Sequence, residues 1–489
     1  MNFSVSAFDN DKSSEYANVA TVTDVAYKSS SGSEIQNHVA IMEDILGDSL
    51  DDFKNYITES IYNNPDKIKI SQFNIPNTSI ATDALCDYIY FEIPEAFNFL
   101  EFSYSRNSSC VLYIYPKYIM TAEEYQAKLK NCNDIADKML KGIANNSSLE
   151  EYEKALLVHD RLALNCEFNY YVAENQELAN DTFAYTMYGA IAEGDAVCLG
   201  YAEAYNFLLS KIGIQSKTCI SWQMGHAWNI VYIDGNAYHV DVSWDDGFVN
   251  GGVEHNYFLL STNAFYSGVN GVEGHVATDY INEPTSTYFD RFYWQRSYTA
   301  FQLIGNELYY FNNNSGQLIR QSDNKVLYTV NDKWKNNSNS NYFSGNYSKL
   351  SSNGRVLFIS DSKSVIEFNV NDMSSAVIFT PNLSVGSYYS VFGMIYSDSY
   401  IICDLFNSPY RDKTDMTKYE KMEYVSDIVK GDADEDGVLS SKDITFLRRA
   451  LAGGWSIDIS LEISDFDGNG VFESKDILHF RRQLTENME

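Results

Sequence analysis

Three residues in the middle of this 489-residue chain have the types that nucleophilic acyl transfer requires: a thiol at Cys198, an imidazole at His226 and a carboxylate at Asp241. In such chemistry a thiolate attacks a carbonyl, the imidazole moves the proton, and the carboxylate orients the imidazole. Cys198 follows a break, Glu193-Gly194-Asp195-Ala196-Val197, and precedes a run from Leu199 to Leu209 that reads as an amphipathic helix. A thiol at a helix N-terminus meets the positive end of the dipole and unbonded N–H groups, which favour thiolate and supply part of an oxyanion hole. His226 opens a strand through Ile233, and Asp234-Gly235 predicts a two-residue hairpin turn. The return strand reads from Asn236 to Trp244. In that register Ile233 faces Asn236, His226 faces Ser243, and Asp241 sits one diagonal step from His226 on the same face, within side-chain reach. Each residue alone is more often structural; the shared face makes chemistry the better reading.

A second set of residues has the types and spacing for a hard cation. Asp432, Asp434, Asp436 and Asp443 occupy positions 1, 3, 5 and 12 of a loop with Gly437 at position 6. Val438 offers its carbonyl at position 7, and Ser440 stands at position 9, where water bridges. Such a loop wraps six to eight oxygens around calcium. The pattern returns 33 residues later with Asp465, Asp467, Asn469, Gly470, Val471, Glu473 and Asp476. A helix is expected after each loop, with Ile444, Leu447, Arg448, Arg449 and Leu451 matched by Ile477, Phe480, Arg481, Arg482 and Leu484. A solvated acidic surface does not explain the shared glycines.

The surrounding elements divide the chain. Residues 1–28 read as a loose, aperiodic leader. Residues 29–150 read as an N-terminal α+β region packed on the core. Helical spacing marks Glu34 to Asn63, strand-like runs mark Tyr88-Ile89-Tyr90-Phe91 and Val111 to Tyr115, and a long helix spans about 122–143. The catalytic core is placed at 151–290. Its first helix covers about 149–164, with Ser148 as N-cap and Glu151 completing the box. His159 on that helix reads as a packing or surface residue. Upstream of the thiol, Tyr188 reads as a core residue ahead of a second oxyanion donor, and that donor is not assigned.

Residues 291–428 are rich in Tyr, Phe, Asn and Ser. Three look-alike turn-and-strand stretches, Gly305 to Phe311, Asn353 to Ile359 and Asp398 to Asp404, recur about every 45 residues. They predict a compact β domain of propeller-like hairpins, too few for a usual closed propeller. Residues 429–489 hold the calcium module.

Net charge is −32 with a pI near 4.5, which argues against nucleic acid and anionic membrane surfaces as partners and favours calcium. The 7 cysteines include no CxxC pair, which excludes a dense disulfide framework and a zinc ribbon. No apolar run is long enough to span a membrane. The first residues lack a basic and apolar signal sequence; with the C-terminal module, this leads to an expectation of a secreted chain whose signal peptide is absent from the sequence.

Residues 431–485 resemble a dockerin, including Asp at position 12 in both loops. The resemblance implies an all-α module with two EF-hand-like loops, two calcium ions, and a scaffoldin cohesin as partner. It also implies extracellular, cellulosome-associated localisation, a setting of polysaccharide catabolism. In that family loop positions 10 and 11 help choose the cohesin; here they are Ser441-Lys442 and Ser474-Lys475, identical in the two repeats. Arg448 and Arg481 are added as partner-binding candidates. The identity of the repeats implies that either could face the partner.

The motifs Val197-Cys198-Leu199-Gly200-Tyr201-Ala202, Gly225-His226-Ala227-Trp228-Asn229 and Tyr238 to Asp246 resemble the bacterial transglutaminase-like family, a branch of the papain-like fold. The resemblance implies Cys198 as nucleophile, His226 as general base and acid, and Asp241 as orienter, with no cofactor for catalysis. Trp244 and Tyr201 look like framework residues of that family. The fold expectation is therefore multidomain α+β: a transglutaminase-like core, a propeller-like β-repeat domain and an all-α dockerin. The expected activity is cysteine peptidase. The alternatives are a transglutaminase or amidase with the same triad, or a non-catalytic component that binds polysaccharide or another surface ligand.

Overall fold

The computed structural model describes residues 4–7, 16–21, 38–175, 178, 182–247, 249–276, 283–332, 334, 346–383, 390–406, 418–424, 430–433, 439–452, 461–467 and 469–486. The chain separates into two compact units, one of residues 1–247 and 253–297, the other of residues 248–252 and 298–489.

The first unit opens with strands β1 (Ser4–Ala7) and β2 (Tyr16–Thr21), helices α1 (His38–Leu46) and α2 (Leu50–Ile61), and the short β3 (Ile68–Lys69). Helix α3 (Ser79–Glu92), strands β4 (Phe99–Arg106) and β5 (Val111–Tyr118), and helix α4 (Ala122–Met139) follow. The five strands form one sheet in the order β1-β2-β4-β5-β3. Two sequence expectations change here. Parts of the leader are strands rather than loose chain. The Tyr88 to Phe91 run lies in α3, not in a strand. Thr78 caps α3 by accepting from the Ala81 N–H at 3.3 Å, and nine of its residues are buried. A helix enclosed on most sides shows no polar stripe, so its aromatic and branched residues imitate a strand.

The core continues with α5 (Glu151–Asn165), β6 (Glu167–Phe168), α6 (Tyr170–Glu174), β7 (Asp195–Ala196), α7 (Cys198–Lys211), strands β8 (Ser216–Ser221), β9 (His226–Ile233) and β10 (Asn236–Val240), the one-turn α8 (Val242–Asp245) and α9 (Thr262–Ser267). The cap of α5 is Glu150 with Glu153, two residues later than Ser148 with Glu151. Helix α7 is buried from Leu199 through Leu209 rather than amphipathic. It packs against α5, β8, β9 and α8 at once, so every face needs apolar cover. Gly200 permits this closeness: a Cβ there would stand 2.5 Å from the Ala184 carbonyl oxygen.

Among its described residues the second unit carries three antiparallel sheets. The first joins β11 (Gln302–Ile304), β12 (Glu307–Asn312), β13 (Gln317–Arg320) and β14 (Lys325–Thr329). The second joins β15 (Leu350–Ser352), β16 (Leu357–Ser360), β17 (Val365–Phe368) and β18 (Ser375–Phe379), and the third β19 (Ser390–Ser397), β20 (Tyr400–Phe406) and β21 (Lys418–Glu423). In each sheet the second strand comes from one of the three look-alike stretches. Helices α10 (Ser441–Leu451), α11 (Leu461–Ser464) and α12 (Ser474–Glu486) end the chain. Leu447, Ile477 and Phe480 close a small core between α10 and α12.

Candidate active site and calcium loops

Cys198 is the first residue of α7, where the leading N–H groups have no acceptor within the helix. His226 is the first residue of β9. The turn before it needs Gly225, whose φ is +61°. Two polar residues fix the helix against the strand. The Asn229 side-chain amide on β9 donates to the Ala202 carbonyl and to Asn206 Oδ1 on α7, both at 2.9 Å. This lock holds the thiol and the imidazole in register.

The Asp234-Gly235 turn forms as expected, with positive φ at both residues and Ile233 opposite Asn236. The return strand, however, stops at Val240. His226 does not face Ser243 in a ladder. Asp241 leaves the strand and caps α8, accepting from the Trp244 N–H at 3.2 Å. An Asp followed by a helical turn is a favourable N-cap, and this local bond outcompetes two more ladder positions. The orienting contact survives the change: His226 Nε2–H donates to Asp241 Oδ2 at 2.6 Å.

That contact leaves His226 Nδ1 for the thiol, and Cys198 and His226 are hydrogen-bonded partners. Burial pushes the Cys198 thiol up. The His226 charge, the hydrogen bond to it and the Ala227 N–H outweigh burial, so the thiol sits below the ordinary range. Burial acts to lower His226, but Asp241 and Cys198 raise it to about 10. Burial also acts against the Asp241 carboxylate, and the His226 charge with the hydrogen bonds from His226 and His275 holds it well below the ordinary range. These directions all favour a thiolate–imidazolium pair over the neutral pair, with the Asp241 counter-charge behind it.

Three features of the site escaped the sequence reading. His275 donates from Nε2 to the same Asp241 oxygen at 2.9 Å. Ser243 Oγ–H donates to Asp241 Oδ1 at 2.7 Å. Behind α8 lies a buried set of histidines and acids. His159 contacts Asp160 at 2.9 Å through Nδ1 and Asp245 at 3.3 Å through Nε2, while His255 reaches Asp160 at 2.9 Å. His159 is therefore a buried member of a charged network, not a surface residue. No motif spacing flags these partners, because they come from elements distant in sequence. Tyr188 is not beside the thiol. It packs in the core, its ring 5.5 Å from that of Phe97, and Tyr185 is the tyrosine that clusters with Cys198. Trp244 stacks near both imidazoles, and Tyr201 donates to Asp246 Oδ2 at 2.7 Å.

The two loops expected from the sequence to hold calcium are described in part. Asp434, Asp436 and Val438 lie outside the described residues. The position-12 aspartates are held alike in the two repeats. Asp443 accepts from the N–H groups of Ala433 at 2.8 Å and Ser440 at 2.7 Å. Asp476 accepts from those of Phe466 at 2.7 Å and Glu473 at 2.8 Å. Carboxylate oxygens of Asp465, Asp467 and Asp476 lie within 4.8 Å of one another, a hard-donor set that fits calcium. Asn469 and Val471 stand on the exposed rim of that loop. Asp432 pairs with Arg355 at 3.2 Å. The partner-binding candidates Ser441, Lys442, Arg448, Ser474, Lys475 and Arg481 are all exposed on α10 and α12.

All seven cysteines are free thiols. Among the described residues no helix is long and apolar enough to cross a membrane.

A solved structure described as the crystal structure of a TGase aligns over 31% of this chain at 14% identity and a TM-score of 0.20. The alignment spans 48% of that structure, about half its length. No curated protein matches the chain. Residues 135–242 match the transglutaminase-like superfamily, a stretch that contains Cys198, His226 and Asp241. Over that stretch the chain is similar to a transglutaminase-like core, and members of that superfamily typically catalyse acyl transfer or peptide hydrolysis.

Proposed function

We propose that this chain is a cysteine peptidase that cleaves peptide bonds with Cys198, His226 and Asp241. The observation that carries the reading is the position of His226, hydrogen-bonded to Cys198 on one side and 2.6 Å from Asp241 on the other. The thiolate attacks the carbonyl carbon and forms an S–C bond. The oxyanion faces the N-terminal N–H groups of α7. His226 gives its Nδ1 proton to the amine as the C–N bond breaks. Water then attacks the thioester, His226 takes its proton, and the acid leaves. An amine in place of water would give cross-linking by the same steps.

The proposal includes a docking role for residues 429–489: calcium in both loops, a cohesin as partner, and work outside the cell on a cellulosome. Its support is the matched bonding of Asp443 and Asp476 and the exposed, repeated Ser-Lys pairs.

The test incubates the chain and its Cys198→Ala variant with unfolded proteins in calcium and reads products by mass spectrometry. Thiol-dependent fragments support the peptidase reading. Amine incorporation without cleavage replaces it with a transglutaminase. Identical, empty results from both proteins overturn catalysis.

A further inference from the structure

His275 is buried, with its ring between Trp244 at 4.0 Å and Phe265 at 3.9 Å between centroids. Its Nε2 lies 2.9 Å from Asp241 Oδ2, the oxygen that also takes the His226 Nε2–H. A carboxylate oxygen only accepts, so both Nε2 atoms carry hydrogen. Among the described residues the buried His275 Nδ1 has no hydrogen-bond partner. A proton there would be unsatisfied, so the ring is the neutral Nε2–H tautomer. Asp241 then has four donors: Ser243 Oγ–H and the Trp244 N–H on Oδ1, His226 and His275 on Oδ2. Four is about the full capacity of a carboxylate.

We propose that His275 is a positioning residue for the thiol chemistry: a neutral fourth donor that fixes the Asp241 carboxylate and keeps it ionised without adding a positive charge beside His226. The inference rests on the triad reading above. Cation donors would not serve as well, since a second imidazolium 5.4 Å from His226 would oppose the one that catalysis needs. The titratable groups facing His275 are Asp241, His226 and Asp245, with His239, Tyr257 and Tyr266 around the ring. Burial, the largest of the forces on it, lowers His275 from its ordinary value, in keeping with a neutral ring.

The consequence is read at low pH. Asp241 is buried, and a lost donor lets burial raise its pKa. Once Asp241 takes a proton, His226 loses its counter-charge and Cys198 its thiolate. His275→Phe keeps the stacked shape and removes the donor; His275→Gln places an N–H near the Nε2 position. Iodoacetamide alkylation of Cys198 against pH needs no peptide substrate. The acid limb is expected to move up by about one unit in the Phe variant and to return most of the way in the Gln variant. A Phe variant that melts cooperatively but keeps the wild-type limb overturns the role of His275, and so does a Gln variant that shifts as far as Phe. An ordinary thiol titration in the wild type overturns the triad reading and this one with it. Nitrogen-15 histidine spectra of the wild type, with His275 assigned by its loss in the Gln variant, give a second reading. A doubly protonated or Nδ1–H ring at neutral pH overturns the proposal even if the Phe variant does not fold.

Discussion

His159 Nε2 lies 3.3 Å from Asp245 Oδ2, with both side chains fully buried. Asp245 in turn accepts from the N–H groups of Asn256 and Tyr257, and its own N–H bonds the Asp241 carbonyl at 3.2 Å. The network behind α8 therefore braces the turn that presents Asp241.

Breaking that network should unfold the first unit more easily. His159→Leu leaves Asp160 and Asp245 buried without one of their partners, and such losses cost about 3–5 kcal/mol. Urea unfolding followed by tryptophan fluorescence measures this. The pH dependence has a sign. Burial acts to lower His159, but Asp160 and Asp245 raise it from 6.5 to about 9. Its contribution is whole below 6.5 and lost as pH rises through about 9. For Asp160, burial is outweighed by His255 and His159, which bring it from 3.8 to about 2. That contribution is whole above 3.8 and lost as pH falls through about 2. The melting temperature should decline on the alkaline side in the wild type and stay flatter there in His159→Leu.

Asp241→Asn tests the orienter. The amide keeps an oxygen for the Trp244 N–H, so α8 stays capped and the fold stays intact. The counter-charge behind His226 is lost, and kcat should fall by roughly a thousandfold or more. Circular dichroism equal to wild type, with hydrolysis reduced only severalfold, would remove Asp241 from the mechanism. In the wild type, hydrolysis should fall off on the alkaline side near 10, where His226 loses the proton it must give the leaving amine.

Gly200→Ala should destabilise without touching a reacting group. The added methyl meets the Ala184 carbonyl oxygen at 2.5 Å and the Ala196 methyl at 2.9 Å. Overpacking of this kind costs about 1–3 kcal/mol. Because the clash lies two residues from the thiol on the same helix, alkylation of Cys198 should slow as well. Denaturant midpoints for the two proteins settle it.

Arg355 lies 3.2 Å from Asp432, position 1 of the first proposed calcium loop, and would compete there with a bound cation. Arg355→Ala should tighten calcium at the first loop by up to about tenfold, the scale of one close charge pair. Asp476→Ala should instead remove binding at the second loop, where three carboxylates converge. Calorimetric titration resolves both; an Arg355→Ala isotherm identical to wild type would show that Arg355 yields Asp432 at no cost.

Much of the site was legible because its signals are local. A break before an apolar run put Cys198 at a helix start, and Asp-Gly set the hairpin register that brings Asp241 toward His226. The loop repeat was legible for the same reason, as a periodic pattern of oxygens. What failed was non-local. Nothing in the residues around Gly274-His275 points to Asp241, 34 positions earlier. The Tyr88 to Phe91 run has strand composition, but enclosure makes it helix. Asp241 itself carried a cap signal in its type, and the alternation of the preceding strand hid it.

The three proposed reacting groups come from a helix, a strand and the turn beyond a second strand, and they meet only when α7 seats on β9 through Asn229. A nascent or heat-loosened chain therefore carries only an ordinary thiol. Activation of the thiol is therefore a property of the docked pair of elements, and a copy in which α7 is not seated on β9 holds the same three residues without their joint chemistry.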